Sequence, residues 1–163
     1  MLYFAYGSNM STPRLGERVS ISSTVGVATL FDHTLRFQKV SVDGSAKCDI
    51  EERPESDAEV HGVVFELPDP EIEVLNEVEG LGNGYDSKIV SVSLFDGQVV
   101  EALTYWATII DKNLKPYHWY KHHVLYGAKE ASLPNSYVSD IEAIVSVDDP
   151  QPDREHKQML IYR

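Results

Sequence analysis

A short loop near the start of the sequence carries residue types that could bind an anion. Gly7, Ser8 and Asn9 follow the apolar run 2–6 and precede a predicted helix. A glycine lets a ligand approach the backbone closely, and the N–H groups of such a loop can donate to a carboxylate near a helix N-terminus. The residue types therefore predict an anion cradle, although an ordinary strand-to-helix turn is the commoner explanation of this composition.

A carboxylate at the end of another predicted helix could transfer protons. This helix begins at Asp69 and should end at Gly80, because glycine readily adopts the left-handed conformation of a helix C-terminus. Its glutamates are Glu71, Glu73, Glu77 and Glu79. Most glutamates in such an acidic segment are simply solvated. Glu79 differs from the other glutamates only in its position directly before Gly80, and this position together with the upstream loop makes it a candidate acid/base.

Several tyrosines and the single cysteine are further candidates. Tyr105, Tyr120 and Tyr126 can wall a pocket and donate phenol hydrogen bonds, but aromatic residues in strands and helices are more often core. We therefore favour Tyr120 as a pocket residue and rank Tyr105 below it. Cys48 could be a nucleophile with a distant histidine as its base, but its neighbours form no specific signature, which favours a buried or half-buried thiol.

A pair of histidines has a spacing that can chelate zinc. His118 and His122 lie four residues apart on a predicted helix. No third ligand in a recognised zinc motif accompanies them. The sequence therefore predicts no metal site, and it requires no cofactor.

The strands that would position these residues are predicted from periodicity and turn residues. Strands are expected at 2–6, 25–31, 34–37, 60–67, 88–95 and 99–107. The last two form a hairpin across Asp96 and Gly97. Gly62, inside a predicted strand, indicates a close approach of backbone or ligand. The charged segment 51–59 is predicted to be an exposed loop.

Proline and capping residues mark the helices. Helices are predicted after Ser11 and at 69–79, 116–129 and 134–145. Residues 148–163 contain prolines and little periodicity, so this tail is predicted to be extended, either as an edge strand or lying over the core. The whole chain, 1–163, has the length of a single domain.

The composition narrows the class of partner. Lys and Arg total 14 against 26 Asp and Glu, and a net charge of -12 argues against nucleic acid or an anionic membrane and favours a small ligand. The single cysteine excludes an internal disulfide and suits a reducing compartment, so a cytoplasmic location is expected. The N-terminal run has no basic region before it, so neither a signal peptide nor a membrane span is expected. The oligomeric state, a homodimer included, is left open.

Several segments resemble the γ-glutamylcyclotransferase-like family, which includes the AIG2-like proteins. The string YFAYGSN at 3–9 is similar to the signature loop of the family, and LNEVEG at 75–80 is similar to its helix end L-D-x-x-E-G. The strand VHGVVF at 60–65 and the segment from Tyr120 to Pro134 match two further patterns. The resemblance extends over nearly the whole chain, to position 145.

This resemblance implies a mixed α+β fold with a small barrel-like sheet flanked by helices. It implies that Glu79 is the catalytic acid/base, that the loop 3–9 binds a γ-glutamyl head, and that Tyr120 lines the pocket. Together with the other aromatic candidates, the expected substrate-binding residues are Tyr3, Phe4, Ala5, Tyr6, Gly7, Ser8, Asn9, Tyr85, Tyr105 and Tyr120.

The implied activity is cyclisation of a γ-glutamyl group to 5-oxoproline with release of an amine, without metal or cofactor. Cyclotransferase-like folds serve γ-glutamyl amino acids and peptides, γ-glutamyl amines and glutathione breakdown, and the sequence does not select among them. It departs from the family pattern at Asn76, where Asp is usual, and in the glycine-rich loop 81–84. A non-catalytic member that binds a small acid or a partner, and an amide hydrolase that uses Cys48, remain the alternatives.

Overall fold

The computed structural model describes residues 1–163, and most of its strands are apolar segments bounded by turn residues. In chain order the strands are β1 (Leu2–Ala5), β2 (Ser23–Phe31), β3 (His33–Val40), β4 (Ala46–Glu52), β5 (Glu59–Glu66), β6 (Tyr85–Leu94) and β7 (Val99–Ala107). Five of them close into a barrel in the order β1-β5-β2-β6-β7, and β3 pairs with β4 in a separate two-stranded sheet. The predicted mixed α+β fold with a barrel-like sheet is therefore confirmed.

Strand β1 closes the barrel because it pairs along both edges. It runs antiparallel to β5, where Phe4 lies opposite Val64, and parallel to β7, where Tyr3 lies opposite Leu103. Closure leaves the barrel itself without an open edge strand. It also fixes the end of β1, so the loop that follows leaves the barrel at a defined place.

The barrel and the helices share one hydrophobic core of 32 buried residues. At Gly62 in β5, a Cβ atom would lie 2.3 Å from the carbonyl oxygen of Ala5 and 2.7 Å from the ring of Phe4. No larger side chain fits between these two strands without moving backbone. The predicted close approach at Gly62 is confirmed, and the atoms that approach it belong to the backbone and ring of β1.

The helices surround this barrel. They are α1 (Thr12–Gly16), α2 (Asp69–Glu79), α3 (His118–Glu130), α4 (Asn135–Ala143) and α5 (Pro152–Met159), with short 3₁₀ turns at Ser8–Met10 and Leu160–Tyr162. Helix α2 ends as predicted, because Gly80 adopts the left-handed conformation with φ 72°. The Ser11 side chain caps α1 by accepting from the N–H of Arg14. None of the helices has the length and apolarity that crossing a bilayer requires.

Two regions differ from the sequence-based expectation. Strand β4 was not predicted, and its end reaches into the segment 51–59 that was expected to be a loop. Its sequence, AKCDIEE, mixes charges with few apolar residues and shows no clear strand pattern. The strand forms because β3 pairs with it over most of its length, from His33 opposite Glu52 to Val40 opposite Ala46. Pairing with β3, rather than the local sequence, therefore makes this segment a strand.

The C-terminal segment contains a helix, where an extended tail was expected. Pro152 occupies the first turn of α5, which has acidic residues in its first turn and basic residues in its last turn, an arrangement that favours a helix. Arg154 of α5 donates two hydrogen bonds of 2.6 Å to Asp149. Asp149 also accepts from the indole N–H of Trp119 at 2.7 Å, which attaches the segment to α3. The helix is thus held by partly buried polar contacts that a local sequence pattern does not reveal.

The contact between α3 and the 3₁₀ turn yields a prediction about stability. A Cβ atom at Gly127 would lie 2.4 Å from the Ser11 nitrogen and 2.5 Å from the Met10 carbonyl carbon, which are backbone atoms. We expect Gly127→Ala to lower the free energy of unfolding by about 1 to 3 kcal/mol, the usual cost of overpacking. Urea denaturation measures this change. In Gly16→Ala the new methyl group meets no atom within 4 Å, so this control should change stability by less than about 1 kcal/mol. Equal stabilities for the two variants would contradict the packing described.

Candidate active site

A small cavity lies where the loop after β1 meets the end of α2. Its volume is about 30 Å³, so the enclosed part of the cavity is small. Ten residues line it: Tyr3, Tyr6, Gly7, Ser8, Asn9, Cys48, Glu79, Tyr85, Tyr105 and Tyr120. The structure thus brings together most of the residues that the sequence singled out, although they are far apart along the chain.

Two of the expected residues do not line the cavity. Phe4 is fully buried and packs against Gly62, and the backbone oxygen of Phe4 accepts from the hydroxyl of Thr104 at 2.9 Å. Ala5 is also buried, with its carbonyl oxygen beside Gly62. Both residues belong to the paired part of β1, where they serve barrel packing. The motif string is therefore continuous in sequence, but only part of it faces the cavity.

Glu79 is held by two donors that share one of its oxygens. Its Oε1 accepts from Nδ2 of Asn9 and from a guanidinium nitrogen of Arg18, each at 2.8 Å. Its Oε2 makes no hydrogen bond to the protein. The carboxylate is 14% exposed, so it faces the cavity without lying in bulk solvent. The end of α2 at Gly80 gives it this position, because the chain turns away immediately after Glu79.

Arg18 is a site residue that sequence reasoning missed. It follows α1, and besides its ion pair with Glu79 it donates to Oδ1 of Asn9 at 3.1 Å. Asn9 in turn donates to the hydroxyl of Tyr3 at 3.0 Å. The four side chains form one polar network. A lone arginine in a charged stretch carries no sequence signal, and only its place shortly after the loop could have suggested a role.

The loop itself leaves backbone donors unused. The N–H groups of Met10 and Ser11 turn back onto the carbonyl oxygens of Gly7 and Ser8. The N–H groups of Gly7, Ser8 and Asn9 have no such partner in the turn, and the Ser8 hydroxyl makes no hydrogen bond. The arrangement has the donors of an anion cradle.

Gly7 keeps the cavity open beside this loop. A Cβ atom on Gly7 would lie 3.0 Å from Cβ of Cys48 and 3.5 Å from the hydroxyl oxygen of Tyr120. Those two residues line the cavity, so a side chain at position 7 would occupy its space. The glycine is therefore required by space, and its φ of -111° is one that other residues adopt.

The tyrosine walls are neutral and fixed by hydrogen bonds. Tyr6 donates to the carbonyl oxygen of Tyr105 at 2.6 Å, and Tyr85 donates to that of Cys48 at 2.5 Å. Tyr120 accepts from the backbone N–H of Cys48 at 2.9 Å. Burial raises the pKa of Tyr6, Tyr85 and Tyr120 well above the ordinary phenol value. The phenols therefore remain protonated at neutral pH.

Position 76 supports another wall residue. Asn76 accepts from the hydroxyl of Tyr105 at 2.7 Å through its Oδ1 atom. An aspartate would offer the same oxygen acceptor, so the departure from the family pattern at this position preserves the hydrogen bond. Burial and the nearby Glu79 charge raise the pKa of Tyr105, which keeps it a donor.

Cys48 lines the cavity but lacks the surroundings of a nucleophile. It is 1% exposed, and burial raises the pKa of its thiol to about 12. A thiol activated for attack has a lowered pKa and a base in hydrogen-bond contact. No histidine hydrogen-bonds to Cys48, and the buried His123 bonds instead to Tyr162 and Gln158. These observations disfavour a hydrolase that uses Cys48.

The two histidines of α3 that could chelate zinc contact other residues instead of each other. His118 contacts Ser146 and Asp148, whereas the ring of His122 packs edge-to-face against Tyr162. No three His, Cys, Asp or Glu side chains come together in a way that could hold a metal ion.

A closed barrel with a small cavity that contains one carboxylate is typical of a domain that binds a small molecule. Comparisons with known proteins are more specific. Residues 59–141 match the AIG2-like family. A 149-residue stretch is 33% identical to mouse (Mus musculus) γ-glutamylcyclotransferase, covering 88% of this chain and 78% of that protein, and the human (Homo sapiens) protein is 32% identical over the same length. A solved γ-glutamyl cyclotransferase superposes with a TM-score of 0.85 at 30% identity, covering 96% of this chain and 98% of that one.

The chain therefore belongs to the γ-glutamylcyclotransferase family of AIG2-like proteins, and it is an enzyme of that type. A yeast γ-glutamyl cyclotransferase described as specific to glutathione has the same fold, with a TM-score of 0.66 at 15% identity. The common architecture therefore extends to proteins with little sequence in common.

The contact between Tyr120 and Cys48 yields a prediction about stability. Tyr120→Phe removes the oxygen that accepts the buried Cys48 N–H and leaves the ring contacts with Phe37 and Trp119 in place. An unsatisfied buried donor costs about 1 to 3 kcal/mol, so the free energy of unfolding should fall by that amount. Thermal and urea denaturation test this result. Tyr126→Phe is the control, because the Tyr126 hydroxyl makes no hydrogen bond, and a loss as large in that variant would contradict the assignment.

Proposed function

We propose that the chain is a γ-glutamyl cyclotransferase that converts a γ-glutamyl amide to 5-oxoproline and a free amine. The observation that carries this proposal is the unequal use of the two oxygens of Glu79. Oε1 is engaged by Asn9 and Arg18, whereas Oε2 has no protein partner and belongs to a cavity-lining side chain. One oxygen thus fixes the carboxylate, and the other is available to a ligand.

The charges around the cavity complement the head of a γ-glutamyl group. Such a head carries an α-carboxylate and an α-ammonium on one carbon. In the proposed complex the carboxylate accepts from the loop donors of Gly7, Ser8 and Asn9, and the ammonium donates to Glu79. The neutral tyrosines that form the remaining wall add no competing charge.

Proton transfer by Glu79 then completes the reaction. Oε2 takes a proton from the α-ammonium, and the freed nitrogen attacks the γ-carbonyl carbon, which forms the new C–N bond of a five-membered ring. The bond from that carbon to the leaving nitrogen breaks as the leaving nitrogen is protonated. The two protons lost by the attacking nitrogen are the two gained by the leaving nitrogen, so the product amine departs as an ammonium. No water, oxidant or reductant is consumed.

Positioning supplies much of the rate in such a ring closure. The attacking amine and the carbonyl carbon belong to one molecule, so a site that holds the substrate in a folded conformation converts binding into rate. The hydrogen-bonded side chains of Tyr6, Tyr85 and Tyr105 are fixed before the ligand arrives. A rigid wall of this kind favours the compact, cyclising conformation over an extended one.

The partner and compartment follow from charge and cysteine content. A net charge of -12 disfavours nucleic acid, so the proposed partner is the small γ-glutamyl substrate alone. A single buried cysteine suits the reducing cytoplasm.

Replacement of Glu79 tests the mechanism. Glu79→Gln keeps an oxygen that can accept from Asn9 and Arg18, so the fold and substrate binding should survive, whereas proton transfer should stop. General acid–base catalysis contributes about 100- to 10,000-fold, so kcat for 5-oxoproline release should fall at least about 100-fold with a much smaller change in KM. The assay measures 5-oxoproline from γ-glutamyl dipeptides.

The matched control is Glu77→Gln on the same helix. Glu77 is exposed and does not line the cavity, so its kcat should stay within about twofold of the original protein. A folded Glu79→Gln protein that retains more than a tenth of the turnover would refute the mechanism. A folded original protein that binds γ-glutamyl compounds without releasing 5-oxoproline would instead support the non-catalytic alternative.

Replacement of Cys48 separates the cyclotransferase from the cysteine hydrolase. Cys48→Ser changes one buried atom and removes the thiol, while the backbone contacts of Cys48 with Tyr85 and Tyr120 remain. The proposed reaction uses no thiol, so kcat should fall by less than about tenfold, whereas a thiol nucleophile would lose several orders of magnitude. The variant is a sharper test than alkylation, because a group attached to Cys48 would fill the cavity. Loss of all turnover in a folded Cys48→Ser protein would favour the hydrolase.

A further inference from the structure

Glu79 has a single ionic partner in the protein, and that partner does not line the cavity. Nη1 of Arg18 donates to Oε1 of Glu79 at 2.8 Å, and no other cationic side chain comes within ion-pair distance of this carboxylate. Because Arg18 is absent from the cavity wall, it can act on a ligand only through the residues that it contacts.

The hydrogen atoms of two donor nitrogens link Arg18, Asn9 and Glu79 in a ring. Nη1 of Arg18 carries two hydrogens, and it donates to Oε1 of Glu79 and to Oδ1 of Asn9. Nδ2 of Asn9 also carries two, and it donates to the same Oε1 and to the hydroxyl of Tyr3. Every hydrogen on both nitrogens is therefore used, and none of them reaches Oε2 of Glu79.

Arg18 also fixes the orientation of the Asn9 amide. Asn9 is buried, and its Oδ1 accepts from Arg18 alone. An amide turned by half a rotation would place Nδ2 against the guanidinium and Oδ1 against the carboxylate, and both contacts would be repulsive. Without Arg18 the buried Oδ1 would have no donor, and the amide would lose the contact that turns its Nδ2 toward Glu79.

The backbone around Arg18 is held by the core of the protein. Its neighbours Leu15 and Val19 are both buried. The N–H groups of Arg18 and Val19 donate to the carbonyl oxygen of Leu15 at 2.9 and 3.0 Å. The guanidinium therefore extends from a fixed part of the chain, and it can impose that fixed position on Glu79.

The surroundings of Glu79 make its two oxygens different. The two oxygens of a carboxylate are equivalent in water. Here an exchange of Oε1 and Oε2 by rotation of the carboxylate would break the bonds from Asn9 and Arg18. The bond from Arg18 is the stronger of the two, because both of its partners are charged.

We propose that Arg18 is a positioning residue of the reaction, which keeps Oε1 of Glu79 occupied and Oε2 directed at the substrate ammonium. This inference rests on the proposed cyclotransferase function, and it adds a residue that touches neither the substrate nor the reacting atoms. The effect of Arg18 passes through Glu79 and Asn9. It should therefore appear in turnover, and it should depend on the presence of the Glu79 carboxylate.

Replacement by methionine removes both the charge and the donors. In Arg18→Met, kcat for 5-oxoproline release from γ-glutamyl-alanine should fall about 10- to 100-fold, as expected when a charge-assisted hydrogen bond that orients the proton carrier is lost. KM should stay within about threefold, because Arg18 does not line the cavity. Arg18→Gln repeats the test with a neutral side chain and should give a loss in the same direction.

Replacement by lysine should restore most of the activity. A single nitrogen of Arg18 makes both of its bonds, so an ammonium that carries the same charge can take its place. In Arg18→Lys, kcat should stay within about fivefold of the original value. The matched control is Arg36→Met, which breaks an ion pair of 2.7 Å with Glu51, and neither of these residues lines the cavity. Its kcat should change by less than about twofold.

A double variant distinguishes positioning from a purely structural role. The proton carrier is absent in Glu79→Gln, so the addition of Arg18→Met should slow the residual reaction by less than about threefold. A residue that only stabilises the fold would instead cause the same loss in both backgrounds.

The outcomes separate the two proposals. If the original protein releases no 5-oxoproline from γ-glutamyl dipeptides, the proposed function fails. If it is active, three results would each overturn the inference: an effect of Arg18→Met on KM alone, an Arg18→Lys protein as slow as Arg18→Met, or an equal loss with and without the Glu79 carboxylate. A fall in kcat that lysine restores and that disappears in the Glu79→Gln background supports it.

Discussion

The hydrogen bond between Asn9 and Glu79 is the contact on which the candidate site depends. It joins two segments that lie 70 residues apart, the loop after β1 and the C-terminal end of α2. Arg18 donates to both side chains, so the acid group and the loop are fixed to each other as well as to the barrel. Loss of this network would leave Glu79 on a helix end, near the loop but without a defined distance to its donors. The position of the Glu79 carboxylate and the position of the loop donors are therefore set by the same hydrogen-bond network.

Burial of polar groups is the constraint that shapes the rest of the cavity. A phenol that leaves water must find a partner, and the tyrosines of the wall meet this need through backbone oxygens, the Cys48 N–H or Asn76. Two of these contacts use the backbone of Cys48, which belongs to β4. Strand β4 is therefore part of the cavity wall, and its pairing with β3 also brings Lys39 close to Tyr85. The small two-stranded sheet completes a site that the barrel alone would leave open.

The sequence predicted the features of the fold and of the site that are governed by local chemistry. Gly80 ends α2, Gly62 marks a close backbone approach, and the string at 3–9 leads to the cavity, because each depends on conformational or steric limits of nearby residues. It did not predict β4, the helix α5 or the role of Arg18. These depend on partners distant in sequence, such as β3 for β4 and Trp119 with Asp149 for α5. Phe4 and Ala5 do not line the cavity for a related reason, since a continuous motif does not state which side chains face inward.

The C-terminal segment shows how a region with weak sequence signals can support the site. Tyr162 bonds to Ser11, the residue that caps α1, and to the buried ring of His123. Burial lowers the pKa of His123 to about 3, so the ring is neutral in the folded protein over the usual pH range. In the unfolded chain a histidine takes up a proton as the pH falls through about 6.5, and the folded protein cannot follow until the pH is much lower. As the pH falls below about 6.5, protonation of His123 in the unfolded chain therefore lowers the free energy of unfolding, while the folded ring stays neutral and keeps its contact with Tyr162. The C-terminal segment, whose helix the sequence did not predict, thus supports the loop 7–11 through the contact of Tyr162 with Ser11.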